Sequence, residues 1–263
     1  MFLHELKAYR KSTVIWTFSL IGMVILFLTM YPAFSKDAEE FIGLLEGFPE
    51  ELRKAIGLSL DSFFTLIGFY SYVFLYIKLG GAIQAMNLGV SILSKETREK
   101  TADFLLTKPV TRAKVVTAKL LAALTSLVIT NVFLIATTIL IASIVKTGEY
   151  SVNLLFMISI TLFFIQLIFL ALGVIVSVIF PKIKSVISVS LGTVFAFFIV
   201  GMISSTTEDA ALRYVTPFNY FDSAYIVKNS SYELSFLLTG ILFIIVTIMA
   251  SYIIYQKKDI DSV

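Results

Sequence analysis

The chain is dominated by apolar runs too long and too evenly apolar for the core of a soluble domain. At least five lie near or above the roughly 18 residues that mark a bilayer-crossing helix. Inside hydrocarbon a backbone N–H or C=O has no water to bond, so only helices and closed barrels cross. Barrel strands alternate in polarity and repeat at about ten residues, and these runs do neither. The expected fold class is an all-α polytopic membrane protein. Composition agrees, at 58% hydrophobic and 15% charged, against about 45–50% and 25% in soluble domains. The expected spans are 14–33, 63–93, 115–145, 154–179, 186–204 and 234–255, in a single transmembrane domain over 1–263.

Charge sets the expected orientation. Six spans put both termini on one side, and lysine and arginine collect on the cytoplasmic side. One side holds Lys7, Arg10, Lys11, seven basic residues from Lys95 to Lys119, Lys182, Lys184, Lys257 and Lys258, fourteen basic residues against six acidic ones. The other holds six basic against twelve acidic. Both termini are therefore expected in the cytoplasm. The first apolar run exceeds the usual 7–15 residues of a signal-peptide core and reads as a retained helix. Ahead of it Phe2, Leu3, Leu6 and Tyr9 share a face, which suits a short N-terminal interfacial helix. An ordinary basic flank is the alternative.

On the expected outer side, the loop 34–62 carries Phe41, Leu44, Leu45, Phe48, Leu52 and Ile56 at helical spacing, which predicts an amphipathic helical hairpin interrupted at Pro49. The loop 205–233 gathers Tyr214, Phe218, Tyr220, Phe221 and Tyr225 around Pro217, aromatics of the kind found at the membrane–water boundary.

The expected cytoplasmic loop between spans two and three is the most informative. Nine of the twenty residues from Lys95 to Lys114 are charged, yet Phe104, Leu105 and Leu106 sit in their midst. Glu96, Glu99 and Asp103 fall on one helical face, and Ala102, Leu105 and Leu106 on another. Pro109 disfavours helix at Lys108, so a short helix over 96–107 should end there, with Thr107 or Thr111 capping the next. Such a helix docks on a partner or lies in lipid headgroups.

The residues Glu96 to Lys119, with "EKTADFLLTKPVTRAKVVTAK" at their heart, resemble the corresponding loop of ABC-2-type transporter permeases. The matching positions are Glu99, Thr101, Leu105, Leu106, Pro109, Thr111, Arg112 and Lys119, and Lys100 stands where the family has glycine. "VTPFNYFDSAYIV" (215–227) is similar to the segment before that family's last helix, and "YQKKDI" (255–260) to its usual ending. The resemblance implies that the loop holds a coupling helix seated on a cytoplasmic ABC ATPase subunit. Glu99, Thr101, Asp103, Phe104, Leu105, Leu106 and Arg112 would form the contact, with Phe104 and Leu105 as anchors in a polar rim. It further implies two ATPase copies, a second permease subunit with a homodimer favoured over a heterodimer, and a bacterial cytoplasmic membrane.

No Gly-rich phosphate cradle occurs, so this chain is not expected to be an enzyme, and ATP and Mg are expected on the partner. There is no cysteine and His4 is the single histidine, which leaves no thiol site or HExxH zinc motif. No nucleic-acid partner is expected. Within the spans, Lys78 is ionisable and so a functional candidate, facing a cavity or snorkelling. The adjacent Gly80-Gly81 is a candidate bend. Gln84 and Asn87 join Lys78 as candidate substrate-path residues, although Gln84, Asn87, Asn131 and Gln166 also suit interhelical hydrogen bonds.

These features favour an ATP-driven exporter of a hydrophobic or amphipathic cargo such as a peptide, antibiotic or lipid-like molecule. Sodium extrusion is the transport alternative, and a non-transporting scaffold or immunity protein the alternative of another class.

Overall fold

The computed structural model describes residues 1–36, 43, 45, 47–56, 60–98, 111–180, 183–207 and 210–257. The helices are α1 (Phe2–Lys36), α2 (Glu50–Ala55), α3 (Leu60–Phe63), α4 (Leu66–Arg98), α5 (Arg112–Val145), α6 (Val152–Ile179), α7 (Val186–Thr206), α8 (Ala210–Val215), α9 (Ser223–Asn229) and α10 (Leu234–Lys257). A 3-10 turn, Pro217–Asn219, lies between α8 and α9, and no strand occurs among the described residues. Six helices, α1, α4, α5, α6, α7 and α10, are long and apolar enough to cross a membrane. Each expected span coincides with one of them.

The N-terminal segment expected as a separate interfacial helix is instead the start of α1. No glycine or proline interrupts residues 2–21. Its buried residues, Glu5, Tyr9, Thr13, Thr17, Leu20, Val24, Leu28 and Tyr31, recur every three or four positions from end to end. That is one unbroken helical stripe, and it packs chiefly on α5. The Thr13 hydroxyl donates to the Tyr9 carbonyl at 3.0 Å across the expected junction. A 35-residue helix is about 52 Å long against a hydrocarbon core of about 30 Å, so α1 projects beyond the bilayer.

The second span starts later than expected. Phe63 ends α3, the Thr65 amide bonds the Ser62 carbonyl, and the Thr65 hydroxyl accepts from the Gly68 amide at 3.1 Å, so α4 starts at Leu66. Gly80-Gly81 does not bend or break it. The missing side chains instead make room for Leu20 of α1 and Leu162 of α6, which a Cβ at either position would strike. At the other end Thr111 caps α5, its hydroxyl accepting from the Lys114 amide. Ser151 and Ser185 cap α6 and α7 in the same manner.

The centre of the bundle is α4 against α6, the two most enclosed crossing helices. They approach most closely at Gly89 and Gly173. A Cβ on Gly173 would stand 2.7 Å from the Met86 carbonyl oxygen and 2.9 Å from the Gly89 Cα. This is small-residue packing of the kind that lets membrane helices meet backbone to backbone. Two apolar cores stack along the axis, one around Met86, Leu127, Phe169 and Val174, the other around Leu28, Tyr70, Phe74 and Leu155.

Part of the aromatic stretch expected at the membrane boundary turns inward, while Tyr214 stays exposed. Phe218, Tyr220 and Phe221 are buried. The Phe218 ring meets Phe169 of α6 and Phe198 of α7, each at 5.4 Å. Non-helical backbone at such depth needs protein partners. Here the Asn219 and Phe221 carbonyls accept from Arg213 at 3.1 Å and from Lys78 at 3.4 Å, and the Thr216 and Asn219 side chains fasten the segment to the Phe197 and Gly201 carbonyls of α7 at 2.8 and 3.0 Å. In the 34–62 loop, α2 begins directly after Pro49 as expected, while Phe41 and Leu44 lie outside the described residues.

Candidate functional site

Two regions carry the candidate residues. The first is the end of the bundle where α1 begins and α10 ends. Glu99, Thr101, Asp103, Phe104, Leu105 and Leu106 lie outside the described residues, as does Pro109. What is described is how the helices on either side are held. Arg112, expected to face a partner, directs its guanidinium at the last carbonyls of α10, 3.4 Å from Tyr255 and 3.3 Å from Gln256. A cation at the carbonyl end of a helix complements the helix dipole. One turn on, the Thr117 and Tyr252 hydroxyls are 2.7 Å apart. Two turns in, Lys119 is 1% exposed. Its ammonium donates to the Ile92 carbonyl of α4 at 2.8 Å and lies 3.5 Å from the Glu5 carboxylate of α1. The roots of α4 and α5 are thus tied to α1 and α10.

The second region is the interior around Lys78, which is 4% exposed. Its Nζ donates to the Phe221 carbonyl at 3.4 Å and lies 5.8 Å from the centre of the Phe74 ring. Phe221 stacks on Phe164 of α6 at 5.4 Å, so Lys78 ties α4 to the inward-turned segment.

Gln84, six residues along α4, belongs to a different constellation. Its amide donates to the Thr130 hydroxyl of α5 at 2.9 Å and accepts from Gln166 of α6 at 3.0 Å. Thr17 of α1 shares the Thr130 hydroxyl at 2.8 Å, and Asn131 donates to Gln166 at 2.6 Å. Four helices thus meet in one polar layer between the two apolar cores. Asn87 is partly buried and takes no part in it. The structure does not gather Lys78, Gln84 and Asn87 into one cluster.

Lys119 was legible but miscounted. It stands four residues inside the expected span 115–145, where an ionisable side chain is a functional signal by the reasoning that singled out Lys78. Among the basic residues assigned to the cytoplasmic side it does not stand out. Glu5 and Arg213 carried no such mark, since each reads as a flank or loop charge.

The family model described as ABC-2 family transporter protein matches residues 1–260. Neither a curated protein nor a solved structure matches the chain. The six crossing helices, the tied roots of α4 and α5 and a match over nearly the full length lead to one conclusion: the chain is a multi-pass membrane protein of the ABC-2 transporter family.

Proposed function

We propose that this chain is the permease subunit of an ATP-driven exporter in a bacterial cytoplasmic membrane, working with a separate ABC ATPase. The observation that carries the reading is the bracing of α4 and α5 where they flank residues 99–110. Arg112 is held on α10, and Lys119 on α4 and α1. Helix roots so braced pass on a force delivered between them. The terminus-bearing end faces the cytoplasm, and ATP and Mg bind on the partner. Phe104 and Leu105 anchor the contact, while Glu99, Thr101, Asp103, Leu106 and Arg112 surround them. Two permease subunits, identical by preference, and two ATPase copies complete the transporter.

Copurification tests it. Phe104→Glu combined with Leu105→Glu should weaken capture of the ATPase by about 30-fold or more, the loss of a hot-spot contact of roughly 2 kcal/mol. Undiminished capture and undiminished ATP hydrolysis by the complex would overturn the assignment.

The cargo we favour is hydrophobic or amphipathic. Sodium extrusion would call for carboxylates along the path. Among the described residues the buried carboxylate is Glu5, at the terminus-bearing end and paired with Lys119. Lys78 belongs to the path in this reading, as an ionisable side chain buried within a crossing helix. Lys78→Met is expected to abolish cargo accumulation in inverted vesicles at normal expression, measured separately for peptide, lipid-like and sodium cargo. Unaltered transport would remove Lys78 from the path.

A further inference from the structure

Lys119 lies about 10 Å from the start of α5, close enough to the aqueous end for a lysine stem to reach water by snorkelling. It does not take that route. Its side chain is buried, its ammonium is on the Ile92 carbonyl of α4 at 2.8 Å, and the Glu5 carboxylate of α1 is 3.5 Å away. A helical carbonyl keeps a lone pair after accepting its ladder N–H, so the bond to Ile92 does not require α4 to unwind. Desolvating an ammonium is costly, and here the partners from two other helices outweigh water.

The same three helices are joined a second time. Thr17 of α1 and Gln84 of α4 both bond the Thr130 hydroxyl of α5, at 2.8 and 2.9 Å. Thr130 is eleven residues beyond Lys119, about 16 Å along the axis. Helices joined at one point can pivot about it. Joined at two points that far apart, they cannot.

We infer that Lys119 is a positioning residue of the transport cycle. It locks α1 to the α4–α5 pair at the end where residues 99–110 are mounted, so that a push delivered there moves three helices as one body. The inference rests on the reading that an ABC ATPase supplies that push.

The chain has no cysteine, so paired nitroxide labels can be placed without background. The lower pair is Leu3→Cys on α1 and Lys114→Cys on α5. The upper pair is Met30→Cys and Lys146→Cys, beyond the Thr130 tie. All four positions are exposed. Spin-label distances are measured on the full chain with its ATPase in lipid nanodiscs, nucleotide-free and trapped with ATP and vanadate. The wild-type lower pair should keep one narrow distance in both states. In Lys119→Met it should broaden or shift by several ångströms while the upper pair holds, and stimulation of ATP hydrolysis should fall roughly 2- to 30-fold. Lys119→Arg, which can reach both partners, should restore both readouts.

An unmoved lower pair with full stimulation in Lys119→Met overturns the inference. If the upper pair also broadens, that variant has lost its fold and Glu5→Gln decides. A shifted lower pair supports the lock, and a wild-type distance refutes it. Absence of any stimulation by the wild-type chain sinks the ATPase reading instead. The lower pair in nucleotide-free protein still reports the lock.

Discussion

Gly173→Leu is expected to leave the chain unable to assemble its bundle. The first added carbon would meet the Met86 carbonyl at 2.7 Å, the Val90 nitrogen at 2.8 Å and the Gly89 Cα at 2.9 Å. All three are backbone atoms of α4, which cannot rotate aside as a flexible side chain would. The helices must therefore separate, and α4 and α6 form the most enclosed pair of the bundle. Separation also pulls Gln84 from Gln166. The combined cost should exceed about 5 kcal/mol, the scale of a whole domain's stability. Size-exclusion chromatography in mild detergent reads the outcome as aggregate in place of a symmetric peak. Gly192→Leu is the control, since nothing lies within 4 Å of a Cβ built there, and it should elute normally. A normal peak for Gly173→Leu would show that the two helices tolerate a wider spacing.

Arg213→Met should give the second largest effect, through the inward-turned segment. Arg213 pairs with both oxygens of Glu233 at 2.7 and 3.3 Å, donates to the Asn219 carbonyl at 3.1 Å and lies 4.2 Å over the Phe236 ring. Methionine keeps the stem and loses the fork. Glu233, whose side chain is 20% exposed, is then left half-buried and unpaired, and the Asn219 carbonyl loses a donor. Leaving a buried partner unmatched costs about 3–5 kcal/mol, and partial exposure places this case near the lower figure. For a chain of this size that is a fall in Tm of about 6–12 °C. The Lys54–Glu50 pair is the contrast. At 57% and 65% exposure it is screened by water, and Lys54→Met should change Tm by no more than a degree or two. Equal shifts for the two variants would mean that Arg213 is no clamp.

The spans were readable because a bilayer demands long apolar helices whatever their partners. What the helices do to one another was less so. The Gly80-Gly81 pair reads equally as a hinge or as clearance, and only Leu20 and Leu162 across from it decide for clearance. Phe218 and Phe221 have the composition of a boundary belt, and their burial depends on α7 carbonyls that no local pattern announces. Gln84, Asn131 and Gln166 were recognisable as interhelical polar residues. Thr17 and Thr130, which complete their layer, carry no mark in the sequence that sets them apart from other threonines of the spans. Lys119 shows that an approximate span boundary can hide a buried charge.

The packing of α1 chiefly on α5 has a consequence for biogenesis. The first helix leaves the ribosome with Glu5, Thr13 and Thr17 on a face that has no partner yet. Another 109 residues separate its end from that of α5, about 5–20 s of synthesis. During that interval α1 must wait in lipid or beside an insertion chaperone, and Glu5 meets Lys119 only when the third crossing helix arrives.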